Sequence, residues 1–209
     1  MIEISNLSFH YPQMPPLFSN LSLHFSAGDS ILLKGENGCG KSTLLKLIMG
    51  ILKAEQGIIK IAGKPFYKLC AEQFHNLYYQ SQITSENTLG ISPEQDWQIW
   101  QFALPDLPTP AFGNSEGENH NKLFSELSTG EYKQASQRIL PYVLNKFWLL
   151  DEPFTSLDAN ACTALHKLLL NKSKMHTGML LISHELSGKE DFISRVILLD
   201  ENGIRACQG

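Results

Sequence analysis

Most of the chemistry legible in this chain sits in one run, Gly35-Glu36-Asn37-Gly38-Cys39-Gly40-Lys41-Ser42-Thr43. It satisfies G-x-x-x-x-G-K-[ST], the spacing of a loop that cradles nucleotide phosphates. Glycines let the backbone curl so that several N–H groups point inward at phosphate oxygens. A helix starting near Lys41 adds the positive end of its dipole. Lys41 is then expected to reach the β and γ phosphates, and the Ser42 hydroxyl to hold Mg²⁺. A glycine-rich turn before an ordinary helix is the plain alternative, and the flanking elements argue against it.

Two further groups fit the same chemistry. Phe147-Trp148-Leu149-Leu150 is an apolar run that meets Asp151-Glu152. Two carboxylates at the end of a buried strand are costly unless they serve a metal or a reaction. Ligands of open parallel sheets bind off the carboxyl ends of the strands. Asp151 is therefore expected on Mg²⁺ and Glu152 at an attacking water. Met179-Leu180-Leu181-Ile182 ends in the same way at Ser183-His184, where a histidine could reach a phosphate. Gln80 and Gln82, after Leu77-Tyr78-Tyr79, are both candidates for a glutamine facing the nucleotide. Tyr11 is either an aromatic that stacks on a base or a surface tyrosine in a loop.

The elements that must position these residues follow from periodicity. Ile31-Leu32-Leu33 reads as a buried strand before the loop, and Leu44 to Met49 as a helix after it. Residues 2 to 9 alternate around Ile2, Ile4, Leu7 and Phe9, as do Leu21, Leu23 and Phe25. Both read as half-buried strands separated by the Pro-rich Tyr11–Pro16 turn. Gly57 to Lys64 is a strand ending in a turn, and Leu77 to Gln80 and Val196 to Leu199 are further strands, the last followed by an Asn202-Gly203 turn. Ser92-Pro93-Glu94-Gln95 predicts a helix start, with Ser as N-cap, Pro at the first position and Gln at the third. That helix carries Trp97, Trp100, Gln101 and Leu104 and ends near Pro105. Gly113–Asn121 reads as a polar surface loop. Leu127 to Glu131 opens a helix to about Leu140, where Pro141 disturbs it. Asp158 is placed to cap a helix from Ala159 to about Leu170.

Bulk properties exclude several classes. A net charge of −4 speaks against nonspecific binding to nucleic acid. Cys39, Cys70, Cys162 and Cys207 are scattered with no C-x-x-C pair, which fits neither a disulfide framework nor a zinc site and suits a reducing cytosol. The start, Met1-Ile2-Glu3-Ile4-Ser5, lacks the basic and apolar regions of a signal peptide. No run approaches the ~20 apolar residues of a membrane span, so a membrane role must come through a partner.

Taken in order, these pieces resemble the ATPase domain of the ATP-binding cassette family, and the resemblance covers essentially the whole chain. It implies an α/β fold: a P-loop NTPase core with a mostly parallel sheet, a small antiparallel β subdomain and a short helical subdomain at roughly 83–140, within a single domain spanning 1–209. It implies ATP and Mg²⁺ as cofactors. Tyr11 takes the place of the adenine-stacking aromatic, and Gly35 to Thr43 that of the phosphate loop. Gln80 falls at the loop glutamine that touches Mg²⁺ and the water. Leu127 to Glu131 stands for the signature motif, usually LSGGQ, with Ser128 and Gly130 as γ-phosphate contacts. Asp151 and Glu152 match the second acidic motif, Ser156-Leu157-Asp158 the dimer loop, and His184 the switch histidine. The signature here reads L-S-T-G-E, with Thr129 for a glycine and Glu131 for the glutamine; Gln134 and Ile139 stand where arginines are common.

The implied function is that of the ATP-hydrolysing subunit of a transporter. It would act as a homodimer or with a paired cassette, on a polytopic membrane subunit, at the cytoplasmic face of the cell membrane. A soluble cassette acting on nucleic acid is disfavoured by charge balance and by the absence of a second cassette or long insertion. A regulatory ATP-binding module without turnover is disfavoured by Lys41, Asp151, Glu152 and His184. A GTPase is disfavoured because Asn145-Lys146 is followed by Phe147-Trp148, without the aspartate guanine recognition would use.

Overall fold

The structure, a computed structural model, describes residues 1–66, 77–82, 90–104, 106–108, 122–144, 147–200 and 203–207. Cys70, the Gly113–Asn121 loop and Asn145-Lys146 lie outside the described residues. The chain forms two compact units.

The first unit comprises Met1–Gln82, Asn145–Phe154 and His166–Gly209. It holds two sheets. The antiparallel one contains β1 (Ile2–Phe9), β2 (Phe18–Phe25), β4 (Gln56–Ile61) and β5 (Lys64–Pro65), in the order β2-β1-β4-β5. Its inward residues are the alternating ones, Ile2, Ile4, Leu7 and Phe9 among them. The period slips by one between Ile4 and Leu7, where the pairing with β2 shifts register and Asn6 turns to φ 51. Such a bulge takes up the extra residue and returns Leu7 to the core, and asparagine tolerates the left-handed backbone.

The second sheet runs β10-β9-β3-β8-β7-β6, from β3 (Ser30–Lys34), β6 (Leu77–Gln80), β7 (Phe147–Asp151), β8 (Gly178–Ile182), β9 (Arg195–Asp200) and β10 (Gly203–Cys207). All neighbours are parallel except β10, which lies antiparallel on β9. β7 and β8 are buried along their whole length. Strands covered on both faces need continuous apolar runs rather than alternation, which is why these short segments are Leu-rich. α1 (Lys41–Ile48) packs Leu44, Leu45, Leu47 and Ile48 into the core, each 2% exposed or less. The sequence reading ends at the Asn202-Gly203 turn after β9; the structure adds a strand that begins at Gly203, and Asn202 lies outside the described residues.

The second unit comprises Ile83–Leu144 and Thr155–Leu165. α2 (Pro93–Ala103) starts at the expected capping box: Gln95 N–H donates to Ser92 Oγ at 3.3 Å, and Ser92 N–H to Gln95 Oε1 at 2.9 Å. Trp97 is buried, its Nε1 donating to the Pro108 carbonyl at 3.2 Å and its ring edge-on to Tyr142. α3 (Thr129–Gln137) stops three residues short of the expected end at Leu140. The chain then tightens into a 3₁₀ turn at Leu140–Tyr142, because Pro141 cannot donate the next helical bond. α4 (Ala159–Lys174) starts in this unit and runs a turn beyond the expected Leu170. Asp158 Oδ1 caps it by accepting from Ala161 N–H at 2.8 Å.

Candidate nucleotide-binding site

Sheet order brings the chemistry-bearing residues together. The loop leaves the carboxyl end of β3, His184 follows β8, Asp151 and Glu152 close β7, and Gln80 closes β6. These four strands are neighbours in the order β3-β8-β7-β6, and all are parallel. All four groups therefore emerge at one edge of one sheet, the edge where ligands of such sheets bind.

The loop is shaped for close backbone approach. Gly40 takes φ 102 as the residue preceding α1. A Cβ there would sit 2.7 Å from the Phe18 ring, so a side chain is excluded by both conformation and space. Lys41 is 8% exposed, and its ammonium donates to the carbonyls of Gly35 at 2.8 Å and Glu36 at 2.9 Å. The cation is thus folded across its own loop. Glu36, Asn37 and Gly38 are exposed, while Cys39 and Ser42 are half-buried. A cavity of about 540 Å³ opens beside the loop, lined by Gly35 to Cys39, Pro16, Leu17 and Leu198 to Asp200. Thr43 is buried, and the Tyr11 hydroxyl lies 3.0 Å from its Oγ1. The exposed Tyr11 ring stands edge-on to Phe9 at 5.0 Å between centroids. Tyr11 is therefore fastened to the first turn of α1 and not loose on the surface.

The acidic pair is held tightly. Asp151 is 2% and Glu152 6% exposed. Glu152 has a left-handed backbone, φ 48, and its N–H donates to the Ile182 carbonyl at 2.9 Å. Strain of this kind in a non-glycine residue persists only where the surroundings fix it, and it clusters at functional sites. The Glu152 carboxylate accepts from the His184 backbone N–H at 3.3 Å, and His184 Nε2 lies 3.5 Å from its other oxygen. The imidazole itself is exposed.

Between the two glutamine candidates the structure discriminates. Gln82 is exposed; Gln80 is 4% exposed, and neither its Oε1 nor its Nε2 has a hydrogen-bond partner among the described residues. A buried amide without partners costs free energy unless something else meets it. Burial and then the Asp151 carboxylate push the neighbouring Tyr79 phenol up to about 12. Among the described residues no cluster of three His, Cys, Asp or Glu side chains could hold a metal alone. Ser42, Asp151 and Gln80 instead match Mg²⁺, which takes one or two protein carboxylates and completes its shell from phosphates and water.

In the second unit, Ser128 caps α3 through a box the sequence reading missed. Glu131 N–H donates to Ser128 Oγ at 3.3 Å. Ser128 returns two donors to one oxygen, its N–H at 2.8 Å and its hydroxyl at 2.7 Å from Glu131 Oε2. The signal was present as Ser128-Thr129-Gly130-Glu131, the S-x-x-E pattern. Gly130 lets the Ser156 carbonyl approach: a Cβ there would lie 2.7 Å from that oxygen. Gln134 Nε2 donates to Asp158 Oδ2 at 2.9 Å, a second contact the sequence reading did not find.

Known proteins resemble this chain in sequence and fold. A family model described as ABC transporter matches residues 18–155. The cytochrome c biogenesis ATP-binding export protein CcmA of Agrobacterium fabrum is 31% identical over 187 residues, covering 83% of this chain and 84% of that protein. CcmA of Shewanella frigidimarina is 28% identical over 197 residues, covering 88% and 87%. In fold, the chain superposes on the dimeric post-hydrolysis structure of the ATP-binding cassette MJ0796 bound to ADP and Pi, with TM-score 0.79, 17% identity and full coverage of both chains. A putative ABC transporter ATP-binding protein from Pyrococcus furiosus gives TM-score 0.68 at 24% identity, covering 95% and 96%.

Proposed function

This chain belongs to the ABC transporter family as an ATP-binding and ATP-hydrolysing subunit, and we propose that it drives a separate membrane subunit by closing on a second cassette around ATP and reopening after hydrolysis. The two units together act as one cassette. Gly35 to Thr43 wrap the phosphates, and Tyr11 stacks on the adenine. Lys41 exchanges the carbonyls of Gly35 and Glu36 for the β and γ phosphates. Ser42, Asp151 and Gln80 would hold Mg²⁺, which when bound would supply charge neutralisation at the phosphates. Glu152 orients the attacking water, and His184 steadies the γ phosphate. Ser128 and Gly130, at the exposed start of α3, meet the ATP held by the other cassette.

The observation that carries this reading is the convergence of Lys41, Asp151, Glu152, Gln80 and His184 at one end of four adjacent parallel strands. Positioning and charge stabilisation are what phosphoryl transfer requires of a protein. Among the described residues no helix is long and apolar enough to cross a membrane. In this reading the cassette works at the inner face of the membrane through its partner. The deciding experiment compares wild type with Glu152→Gln for ATP turnover and ATP-dependent dimerisation. Loss of turnover with a stable ATP-bound dimer is the expected result; turnover at the wild-type rate would overturn the assignment.

A further inference from the structure

We propose that Glu131 is a built-in competitor for the phosphate that Ser128 meets, so that this chain closes on ATP only after its own carboxylate is displaced. The inference rests on the trans-contact reading above and deepens it.

The geometry is that of a capping box whose returning acceptor is a carboxylate. One carboxylate oxygen, Glu131 Oε2, takes both the N–H and the hydroxyl hydrogen of Ser128, at 2.8 and 2.7 Å. The same residue anchors the helix start reciprocally, since its backbone N–H donates to Ser128 Oγ. Bonds to an ionised acceptor are short and about twice as strong as neutral ones. A γ phosphate arriving from the other cassette asks for the same donors and carries the same sign of charge. It must either turn the carboxylate aside or meet it. Ser128, Glu131 and Gln134 are all exposed, so an arriving nucleotide encounters this carboxylate directly. A glutamine at this position keeps the shape and the acceptor. It forms weaker bonds to Ser128, adds an N–H donor, and removes the repulsion. Each of these differences favours the closed state.

Position within the box matters. Glu126 makes a comparable cap two residues before Ser128, with Leu123 N–H donating to its Oε2 at 2.7 Å. It carries the same charge in the same unit but makes no bond to Ser128. It is therefore the control for a general charge effect.

The test uses full-length protein in the Glu152→Gln background, which removes hydrolysis from the measurement. Light scattering after gel filtration gives the ATP concentration for half-maximal dimer. Thermal melts check that each variant folds. Adding Glu131→Gln is expected to lower that concentration roughly tenfold, as befits replacing a charged acceptor by a neutral one, while adding Glu126→Gln leaves it unchanged. If Glu152→Gln alone stays monomeric, a dimer appearing only with Glu131→Gln supports the competitor. An equal gain from both substitutions shows a general charge effect and overturns the proposal. No gain from Glu131→Gln, in a protein that still dimerises on ATP, overturns it and leaves the trans contact standing. No dimer in any variant overturns both.

Discussion

The carboxylate of Glu152 binds one residue at two points: His184 donates its backbone N–H to one oxygen at 3.3 Å and places Nε2 3.5 Å from the other. The chain after β8 is thereby tied to the end of β7, and the acid is aimed by a neighbour it does not share a strand with. Glu152→Gln preserves this shape and can still accept the backbone N–H. It cannot take a proton from water, so turnover should fall by ~10²–10⁴. An ATP-bound dimer should accumulate and be visible by light scattering in Mg-ATP. Adding Ser128→Arg should disperse it by steric block at the trans contact. A dimer that survives that second change contradicts the sandwich.

Lys41→Ala removes the cation that bridges Gly35 and Glu36. Hydrolysis should be abolished and nucleotide affinity weakened, because charge-assisted bonds to the phosphates are lost. Calorimetric titration with ATP and a phosphate-release assay measure the two effects. Undiminished turnover in the purified variant is the opposing result.

Gly40→Ala tests the shape of the loop and not its charge. The residue would hold a left-handed backbone at about 1–3 kcal/mol of strain, with its methyl against the Phe18 ring. A lower melting temperature and weaker ATP binding are expected together. Shortening Phe18 to Leu should recover part of the stability, since it relieves the contact but not the backbone.

Trp97 and Trp100 share a face of α2 but not a role. Trp97→Ala should cost about 3–5 kcal/mol, the usual loss for a buried aromatic, because that ring fills the second unit against Tyr142. Trp100 is half-buried, and a hydrogen bond between it and Asp96 offsets part of the rise that burial imposes on that carboxyl. Trp100→Ala removes a side chain that is only half-buried, so it is expected to cost less stability than Trp97→Ala. Thermal melts of the two variants compare the losses, and an equal loss would contradict the difference in burial.

Cys39 is half-buried in the glycine loop and is a free thiol. Thiol reagents should modify it in nucleotide-free protein and not in the presence of Mg-ATP, which covers the loop. Mass spectrometry of the labelled peptide reads this, and equal labelling in both states would contradict the assignment.

The sequence marks the candidate site more fully than the way its parts are held. Glycine spacing, apolar runs and terminal carboxylates are local signals, so Gly35 to Thr43, Asp151 and Glu152 could be read directly. The preference for Gln80 over Gln82 came only with the resemblance, because burial depends on which strand lies next to β6. The Tyr11 to Thr43 contact joins residues on either side of β2 and β3, and no local pattern carries it. The Glu152 backbone conformation is set by the Ile182 carbonyl on another strand. The Ser128–Glu131 box is different: its S-x-x-E pattern is local and complete in the sequence.

β10 has a consequence for handling the protein. It takes the outer hydrogen bonds of β9 from Val196 to Asp200, a run that is apolar from Val196 to Leu199 and pairs in parallel with β3 on its other side. An unpaired strand edge of that kind is a template for other chains. A truncation that removes Gly203–Cys207 would leave the residues at the ends of β3, β6, β7 and β8 in the chain and still yield material prone to edge-to-edge aggregation. Solubility after C-terminal trimming, and thioflavin binding in the trimmed sample, would expose that liability in a protein whose turnover chemistry is otherwise untouched.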